Sequence, residues 1–166
     1  MATVSRVDAA AFRDALARFA SGVTVVSARG ADGGDYGMTV SAFSSLSLEP
    51  PLVLACVEAA ATVLPQLRAA EVFGVSILAA DQADIAARFA VHGIDRFDGI
   101  ARTRAPEGPP LIDGAVAHLV CRRTGEYAGG DHVILLGEVV AAQSCGGDPL
   151  LYWARGYRRI ANGRDE

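Results

Sequence analysis

The sequence has few of the features that mark secreted, membrane or disulfide-bonded proteins. Its 166 residues include only three cysteines, Cys56, Cys121 and Cys145, whose spacing fits neither a disulfide framework nor a CxxC pair. Residues 1–8 lack the charged and then apolar order of a secretion signal, and no apolar run is long enough to span a bilayer. We therefore expect reduced thiols and a cytoplasmic protein with no membrane partner.

Excess basic charge and metal-binding patterns are missing as well. The formal net charge is −4 with acids and bases interspersed, so the chain lacks the basic surface that binding to a phosphate backbone requires. The three histidines and three cysteines do not have metal-ligand spacing, and no GxGxxG motif follows a predicted strand. The sequence predicts no nucleic-acid partner, no metal site and no Rossmann-type dinucleotide site.

Apolar residues are what the chain has in quantity, and their pattern predicts the elements of one domain over residues 1–166. Hydrophobic residues make up 51% of the chain, enough for a sizeable core. Helices are predicted over 8–20, 62–70 and 81–90, with Asp8 and Asp81 as N-caps and Gly22 as the stop of the first. Strand-like runs are predicted over 23–27, 36–41, 52–57, 72–78, 115–123 and 131–142.

The connections complete this picture. Gly30–Asp35 is a cluster of turn formers that predicts a hairpin loop. Residues 42–51 are rich in serine and end in Pro50-Pro51, which predicts a loop of fixed shape, and residues 92–110 predict a long surface loop. Many short strands with few helices predict a closed antiparallel barrel with helical additions.

The most informative segment is Gly37–Leu54, GMTVSAFSSLSLEPPLVL. Small hydroxyl residues before a rigid corner can present several backbone N–H groups and hydroxyls to one edge of a ligand. A flavin needs such an edge because its reduced ring carries negative charge near N1 and O2. The same residue types also form ordinary connections, so the segment alone leaves both interpretations open.

Six ordered blocks of the sequence carry a resemblance to a known family. They are Phe12–Val26, Gly37–Leu54, Phe73–Leu78, Arg88–Ala90, Gly130–His132 with Gly137–Val139, and Pro149–Tyr152 with Gly156–Tyr157. In order and spacing they resemble the short-chain flavin reductase family, which includes reductase components of two-component aromatic hydroxylases and of halogenases in natural-product pathways. The resemblance implies a mainly β fold with helical additions, an FMN-binding-protein-like split β-barrel with Greek-key antiparallel strands.

The resemblance also implies an activity and partners. The protein would be an NAD(P)H-dependent flavin reductase, taking hydride from NADH or NADPH and reducing FAD or FMN. Reduced flavin would then pass by diffusion to a flavin-dependent monooxygenase, in aromatic hydroxylation or natural-product biosynthesis, and the reductase would be a homodimer. Two alternatives remain open: a split-barrel flavoprotein that retains its flavin as a binding or electron-carrier module, and an interaction module without catalysis.

Carried over position by position, the resemblance implies a set of flavin and nicotinamide contacts. Residues 38–41 would lie along the flavin ring, Ser44 and Ser45 would donate to its pyrimidine edge, and the strand beneath it would end at Cys56 and Val57. The turn at Glu58–Thr62 has alanines where many relatives have a lysine and hydroxyl residues, so Thr62 is the obvious donor left there. The predicted cofactor-binding residues are Met38, Thr39, Val40, Ser41, Ser44, Ser45, Cys56, Val57, Thr62, Val63, Arg88, Phe89, Arg155, Gly156 and Tyr157.

The predicted catalytic residue is His132, which precedes the apolar run Val133–Leu136 and would lie at the mouth of a strand. A histidine at such a position is by itself most often a solvated side chain, whereas the resemblance implies a place beside the nicotinamide. Its role would be positioning, because hydride transfer needs close stacking of the two rings and no protein nucleophile. The imidazole could also stabilise charge that develops on the reduced flavin.

Several of these residues have simpler interpretations. Tyr152, Trp153 and Tyr157 suit a hydrophobic core or a dimer interface as well as a ligand site. Phe89 has the helical spacing of a core residue, although the resemblance brings it near the flavin. Cys56 has apolar neighbours and is expected to pack as a small hydrophobic residue rather than act as a redox thiol.

Overall fold

A twisted antiparallel sheet carries the fold, as a computed structural model shows for residues 7–104 and 108–161. The helices are α1 (Ala9–Leu16), α2 (Leu64–Ala69) and α3 (Ala83–Ala90). The strands are β1 (Ser21–Gly22), β2 (Thr24–Arg29), β3 (Asp35–Val40), β4 (Phe43–Leu48), β5 (Pro51–Glu58), β6 (Val72–Ile77), β7 (Arg102–Thr103), β8 (Leu111–Ile112), β9 (Ala117–Gly129), β10 (His132–Ser144), β11 (Leu151–Trp153) and β12 (Gly156–Arg158).

Seven strands form the main sheet in the order β3-β2-β6-β9-β10-β5-β4. The predicted closed barrel is wrong, because β3 and β4 are its two edge strands and do not pair with each other in the described part of the chain. They are instead joined by Ser41 and Ala42 alone. The sheet is therefore a split barrel, with an unpaired edge on each side of the split.

The β9–β10 hairpin joins the two halves of this sheet. Both strands are 13 residues long; β9 ends at Gly129, well past the predicted end at residue 123, whereas β10 is close to the predicted 131–142. The part of β10 from His132 to Glu138 pairs with β5, whereas the part of β9 from Ala117 to Arg122 pairs with β6. Register shifts at Leu136/Gly137 and Val139/Ala141 bend the hairpin between these parts, as β-bulges do.

Two hydrophobic clusters fill the interior. The first lies inside the split barrel around Val26, Phe73 and Leu135, and the second includes Phe89 and Phe97. Every residue from Thr24 to Ala28 in β2 is buried, because the strand separates the two clusters and contributes to both. The polar groups of β2 are satisfied: the hydroxyls of Thr24 and Ser27 donate to the backbone carbonyls of Val40 and Pro110.

Three distant backbone segments meet beside the second cluster. The N–H of Val23 donates to the carbonyl of Leu150 (3.2 Å), that of Leu150 to Leu78 (2.8 Å), and that of Leu78 to Val23 (3.0 Å). Next to this closed ring of hydrogen bonds, β1, β11 and β12 form a small separate sheet. The beginning of β2 is thereby fastened to the segment that follows residue 149.

Several predicted element boundaries are wrong. Residues 42–51 are not a loop, since β4 occupies most of them and Pro51 begins β5 after a cis Glu49-Pro50 bond. The first helix ends at Leu16, and Gly22 lies in β1 with a negative φ. The predicted hairpin loop at Gly30–Asp35 is confirmed, as is a strand on each side of it.

Of the two predicted helix N-caps, Asp8 is confirmed and Asp81 is wrong. The carboxylate of Asp8 accepts a hydrogen bond from the N–H of Ala11 (3.2 Å), as predicted for an N-cap. Helix α3 begins after Gln82 rather than Asp81, and the Gln82 side chain instead bridges the N–H of Ala79 and the carbonyl of Asp113. None of the helices in the described ranges has the length and apolar character needed to cross a bilayer.

Candidate functional site

The predicted ring-binding residues of β3 lie on an edge strand. Residues Asp35–Val40 pair with β2 on one side, and the other edge of the strand borders the split. Met38 packs toward the first hydrophobic cluster, whereas the hydroxyl of Thr39 donates to the carbonyl of Ala86 (2.7 Å) and fastens β3 to α3. What β3 offers to a ligand at this edge is therefore mainly backbone N–H and C=O groups.

The two serines predicted to donate to the pyrimidine edge, Ser44 and Ser45, lie on β4, the opposite edge strand, and both are exposed; Ser41, also exposed, lies between β3 and β4. The hydroxyl of Ser44 donates to the carbonyl of Ser45 (2.9 Å), which leaves its oxygen lone pairs available to accept. A register shift lies between Ser45 and Ser47, so the bulge turns this part of the strand relative to β5. The serines thus stand at an irregular, solvent-facing edge.

Three predicted residues share one face of adjacent strands. In the strand register Ser44 lies opposite Leu54, Cys56 lies opposite Ile134, and His132 lies opposite Glu58. Alternation along a strand puts Ser44, Cys56 and His132 on the outer face of the sheet. The N–H of Cys56 donates to the carbonyl of Ala42 (2.8 Å) and so ties the β3–β4 corner to this face.

Val57 and Phe89 lie elsewhere. The side chain of Val57 points to the inner face of the sheet, opposite Val133, and is fully buried. Phe89 is also fully buried, and its ring meets that of Phe97 edge to face at a centroid distance of 4.8 Å. Their aromatic and aliphatic groups therefore belong to the core, which agrees with the simpler interpretation of Phe89.

His132 begins β10 and is held by the residue before it. Its Nδ1 lies 2.7 Å from a carboxylate oxygen of Asp131, and 44% of its side chain is exposed. A carboxylate accepts only, so Nδ1 carries the proton of this bond and Nε2 remains free for a ligand. The hydrogen bond from His132 lowers the pKa of Asp131 below its ordinary value. The structure thus adds Asp131 to the site as the group that orients His132.

A cleft of about 440 Å³ opens beside the N-terminal half of β3. Its floor is formed by residues 34–37, and Thr62 and Val63 close one side where the chain enters α2. The opposite wall is the segment 93–97 together with Arg102. Two of the predicted cofactor-binding residues, Thr62 and Val63, therefore line a pocket of the size that small-molecule sites have.

Arg88, which was predicted to bind the flavin, is used to build this wall. Its guanidinium donates to the backbone carbonyls of Arg96 and Asp95, both at 2.9 Å. Arg96 in turn donates to the carbonyls of Val91 (2.7 Å) and Gly37 (2.9 Å) and so joins the wall to β3. Burial lowers the pKa of Arg96, because its charge is partly removed from water.

A second anchor of the wall is Asp35, whose side chain is only 4% exposed. Its carboxylate forms ion pairs with Arg102 (2.6 Å) and Arg104. The Arg102 guanidinium also lies 5.2 Å from the centre of the Phe97 ring, in cation–π geometry. These residues were not predicted from the sequence, where the one available signal was the concentration of arginines in the segment predicted as a surface loop.

The predicted C-terminal residues lie far from His132 within one chain. Arg155 and Gly156 belong to the turn and strand β12 of the small sheet, where φ is 50° at Ala154 and 61° at Arg155. Arg155 forms an ion pair with Asp14 of α1, and Tyr157 packs edge to face on Tyr152 at 5.6 Å. This sheet adjoins the open end of the β9–β10 hairpin, whereas His132 is at its turn.

Comparison with known proteins shows what the whole chain is similar to. Residues 16–161 match the family described as flavin reductase like domain. The chain is 48% identical to the reductase component of 4-hydroxyphenylacetate 3-monooxygenase from Thermus thermophilus, over 90% of this chain and 95% of that protein. It is 44% identical to an NADH-dependent FAD reductase from Streptomyces globisporus, over 89% and 84% of the two chains.

Other relatives differ in the flavin that their names give. An FMN reductase (NADH) from Agrobacterium fabrum is 40% identical, over 90% of this chain and 85% of that protein. Among solved structures, the NADH:FAD oxidoreductase of Streptomyces globisporus C-1027, in complex with NAD and FAD fragments, superposes with a TM-score of 0.89. Its sequence is 40% identical, and the match covers 99% of this chain and 100% of that one.

Proposed function

The chain belongs to the flavin reductase-like family, and from that membership we propose that it is an NAD(P)H:flavin oxidoreductase. It reduces FAD or FMN with NADH or NADPH and supplies the reduced flavin to a partner monooxygenase. The observation that carries the proposal is the gathering of Ser44, Cys56 and His132 on one sheet face beside the split. The names of the relatives, which are reductases and reductase components, do not favour the carrier or interaction alternatives.

The described residues fit a flavin at the split. The unpaired edges of β3 and β4 hold backbone donors, and Ser44 and Ser45 add exposed hydroxyls next to them. The backbone N–H groups and the Ser45 hydroxyl complement the negative charge that the ring acquires on reduction, whereas the Ser44 hydroxyl, which donates to the carbonyl of Ser45, can accept. When bound, the flavin accepts a hydride from the nicotinamide and carries the two electrons away. We propose Met38–Ser41, Ser44 and Ser45 as the residues that hold the ring.

The contribution of His132 is orientation. Asp131 holds Nδ1–H, so Nε2 faces outward with a fixed direction and can accept a hydrogen bond from the carboxamide of the nicotinamide. Because Nε2 is already fixed, it orients the nicotinamide ring as that ring stacks on the flavin. Positioning groups of this kind accelerate a transfer between two bound molecules by holding the reacting atoms in the right geometry. When the imidazole is protonated, Nε2–H would instead donate toward the reduced ring.

A homodimer is part of the proposal because one chain leaves an apolar sheet face uncovered. Leu54, Cys56, Ile134 and Leu136 line this outer face as half-buried residues, and Tyr127 beside them is 61% exposed. Helices α2 and α3 pack elsewhere, since α2 contacts β2 and α3 contacts β2 and β3. Covering such a face with a second copy removes apolar surface from water. A second copy could also bring its C-terminal segment to His132.

The location proposed for the protein follows from its substrates. NADH and NADPH are pools of the cytoplasm, and the reduced flavin must reach its monooxygenase there before oxygen in solution consumes it. We therefore propose that the reductase works in the cytoplasm. The three cysteines are free thiols in the structure, which suits a reducing compartment.

Steady-state oxidation of NADH and NADPH with and without added flavin tests the proposed function. Protein freed of flavin should be inactive, and addition of FAD, FMN or riboflavin should start oxidation of the nicotinamide. A coupled assay with a flavin-dependent monooxygenase held behind a dialysis membrane should then yield hydroxylated product, since reduced flavin diffuses. Oxidation of NADH by rigorously flavin-free protein would contradict the proposal.

A further inference from the structure

A thiol and an imidazole meet at the open end of the β9–β10 hairpin, at the end opposite His132. Sγ of Cys145 lies 3.9 Å from Nδ1 of His118, where a thiol can donate a weak hydrogen bond. His118 pairs with Gln143 across the hairpin, and strand alternation places Cys145, two residues later, on the same face. The pair therefore lies outside the site proposed for the flavin and the nicotinamide.

The imidazole of His118 has a fixed tautomer. Its Nε2 lies 2.8 Å from the carbonyl oxygen of Ile112, and since a carbonyl only accepts, Nε2 of the neutral ring carries the proton. The lone pair of Nδ1 is therefore available to the thiol of Cys145. Ile112 is itself held, because its N–H donates to the hydroxyl of buried Ser76 (2.9 Å). A nucleophile within reach of a base that a third group orients is the arrangement that activates thiols in enzymes.

The thiol of Cys145 is accessible and held in place. Cys145 is exposed, whereas His118 is half-buried. The N–H of Cys145 donates to the carbonyl of Val116 (2.8 Å), which extends the hairpin ladder by one residue and keeps the thiol beside the imidazole. Cys121, by contrast, is fully buried. A small molecule in solution can therefore reach the sulfur of Cys145 but not that of Cys121.

The proposed flavin reductase function supplies an oxidant for this thiol. Reduced flavin that meets dissolved oxygen before it reaches a monooxygenase gives up two electrons, which reduce the oxygen to hydrogen peroxide. Peroxide oxidises the thiols that are exposed and readily deprotonated. The supply of peroxide rests on the proposed function, whereas the chemistry of the thiol does not.

We propose that Cys145 is a site of reversible oxidation by hydrogen peroxide, with His118 as its base. Nδ1 takes the thiol proton, the sulfur attacks one peroxide oxygen, and the O–O bond breaks. The hydroxide that leaves takes the proton from the imidazole as water, so the sulfur is oxidised by two electrons to a sulfenic acid. A low-molecular-weight thiol then forms a mixed disulfide and releases a second water. Neither other cysteine can supply that thiol, since Cys121 is buried and Cys56 lies opposite Ile134, near the other end of β10.

The test measures oxidation of Cys145 in the whole protein. Reduced protein at neutral pH is treated with hydrogen peroxide and glutathione, and mass spectrometry quantifies the glutathione adduct on the Cys145 peptide. Cys145 should react at least about 10-fold faster in the native protein than in the same protein unfolded in urea, because only the fold places a base beside it. Equal rates in the two states are the result for an exposed thiol without a base and would overturn the inference.

The variant His118→Gln removes the base and keeps one hydrogen bond. The glutamine amide can still donate to the carbonyl of Ile112, but it offers no basic nitrogen to the thiol. Oxidation of Cys145 should slow by about 10-fold or more, while Tm and the oxidation of NADH stay nearly unchanged. The matched control is His92→Gln, which removes an exposed histidine that follows α3. Equal oxidation rates in the two variants would refute the role of His118.

Turnover in air separates the thiol site from the proposed function. With NADH and flavin but no added peroxide, Cys145 should acquire the same adduct, and catalase should prevent it. If added peroxide modifies Cys145 but the protein oxidises no NADH in the presence of flavin, the thiol site stands and the flavin reductase function is wrong. If turnover proceeds but added peroxide modifies Cys56 or no cysteine, the function stands and the proposed oxidation site is wrong.

Discussion

Replacing Gly137 with alanine tests the packing where the β9–β10 hairpin bends. A Cβ at this position would lie 2.5 Å from Cζ of Phe73, 2.7 Å from its Cε1, and 2.8 Å from Cβ of Cys121. Phe73 is 1% exposed and Cys121 is fully buried, so neither can move aside into solvent. The added methyl group must therefore displace the Phe73 ring or shift the register of β10 against its neighbours.

The magnitude follows from two opposed effects. Overpacking a core by one methyl group costs about 1–3 kcal/mol, and contacts below 3 Å place Gly137→Ala in the upper part of that range. Alanine also restricts the unfolded chain more than glycine does, which stabilises the folded state by about 0.4–1 kcal/mol. We expect a net loss of about 2 kcal/mol, which for a domain of this size lowers Tm by about 4–8 °C.

Urea unfolding followed by circular dichroism measures this loss, and the chain offers a matched control. Gly22 is exposed, has a negative φ and has no heavy atom within 4 Å of an added Cβ, so Gly22→Ala should be neutral or slightly stabilising. With m near 2 kcal/mol/M, Gly137→Ala should lower the midpoint by about 1 M. Equal stability of the two variants at unchanged m would show that the packing around Gly137 is wrong.

Three further predictions concern the site, the thiols and the assembly. His132→Ala should lower kcat/KM for the nicotinamide on the order of 5- to 150-fold, while flavin affinity changes less than about 2-fold. Ser44→Ala should instead raise only the flavin Kd, and modestly. Stopped-flow reduction of bound flavin measures the two effects separately. Unchanged reduction with impaired flavin binding would remove His132 from the nicotinamide site. A thiol reagent should label exposed Cys145 in the native protein, whereas Cys121, whose pKa burial raises to about 12, should react only after unfolding. Light scattering should give a molar mass of twice 17.2 kDa for the wild-type protein. Leu136→Asp, on the outer sheet face, should shift the protein toward monomer. A wild-type protein that is active as a monomer would contradict the proposed interface.

The sequence predicted most strands because their signal is local. Runs such as Val72–Ile77 are apolar along their whole length, and β-branched residues favour the extended backbone. Strand β4 was missed because serine and Pro-Pro are typical of loops. On an edge strand, however, serines can face water and a proline can begin the next strand without breaking a central ladder.

Properties that depend on distant residues could not be predicted in this way. The sheet would close only if the edge strands β3 and β4 paired with each other, and no local sequence pattern determines whether they do. Phe12 and Leu16 have the spacing of one apolar face of a helix, which is typical of a buried face, yet they are 54% and 52% exposed in the single chain. Asp35 and Arg102 are likewise far apart in sequence, so the cleft that they help to build had no local signal.

The ring of hydrogen bonds among Val23, Leu78 and Leu150 has a consequence for synthesis of the protein. Leu150 leaves the ribosome about 130 residues after Val23, and at 5–20 residues per second this interval lasts about 7 to 26 s. Throughout that time the start of β2 lacks the partner that completes its backbone bonds, and the apolar side chains of the second hydrophobic cluster are only partly covered. The nascent chain therefore spends most of its synthesis in a form that chaperones can bind, and the cluster closes only near the end of translation.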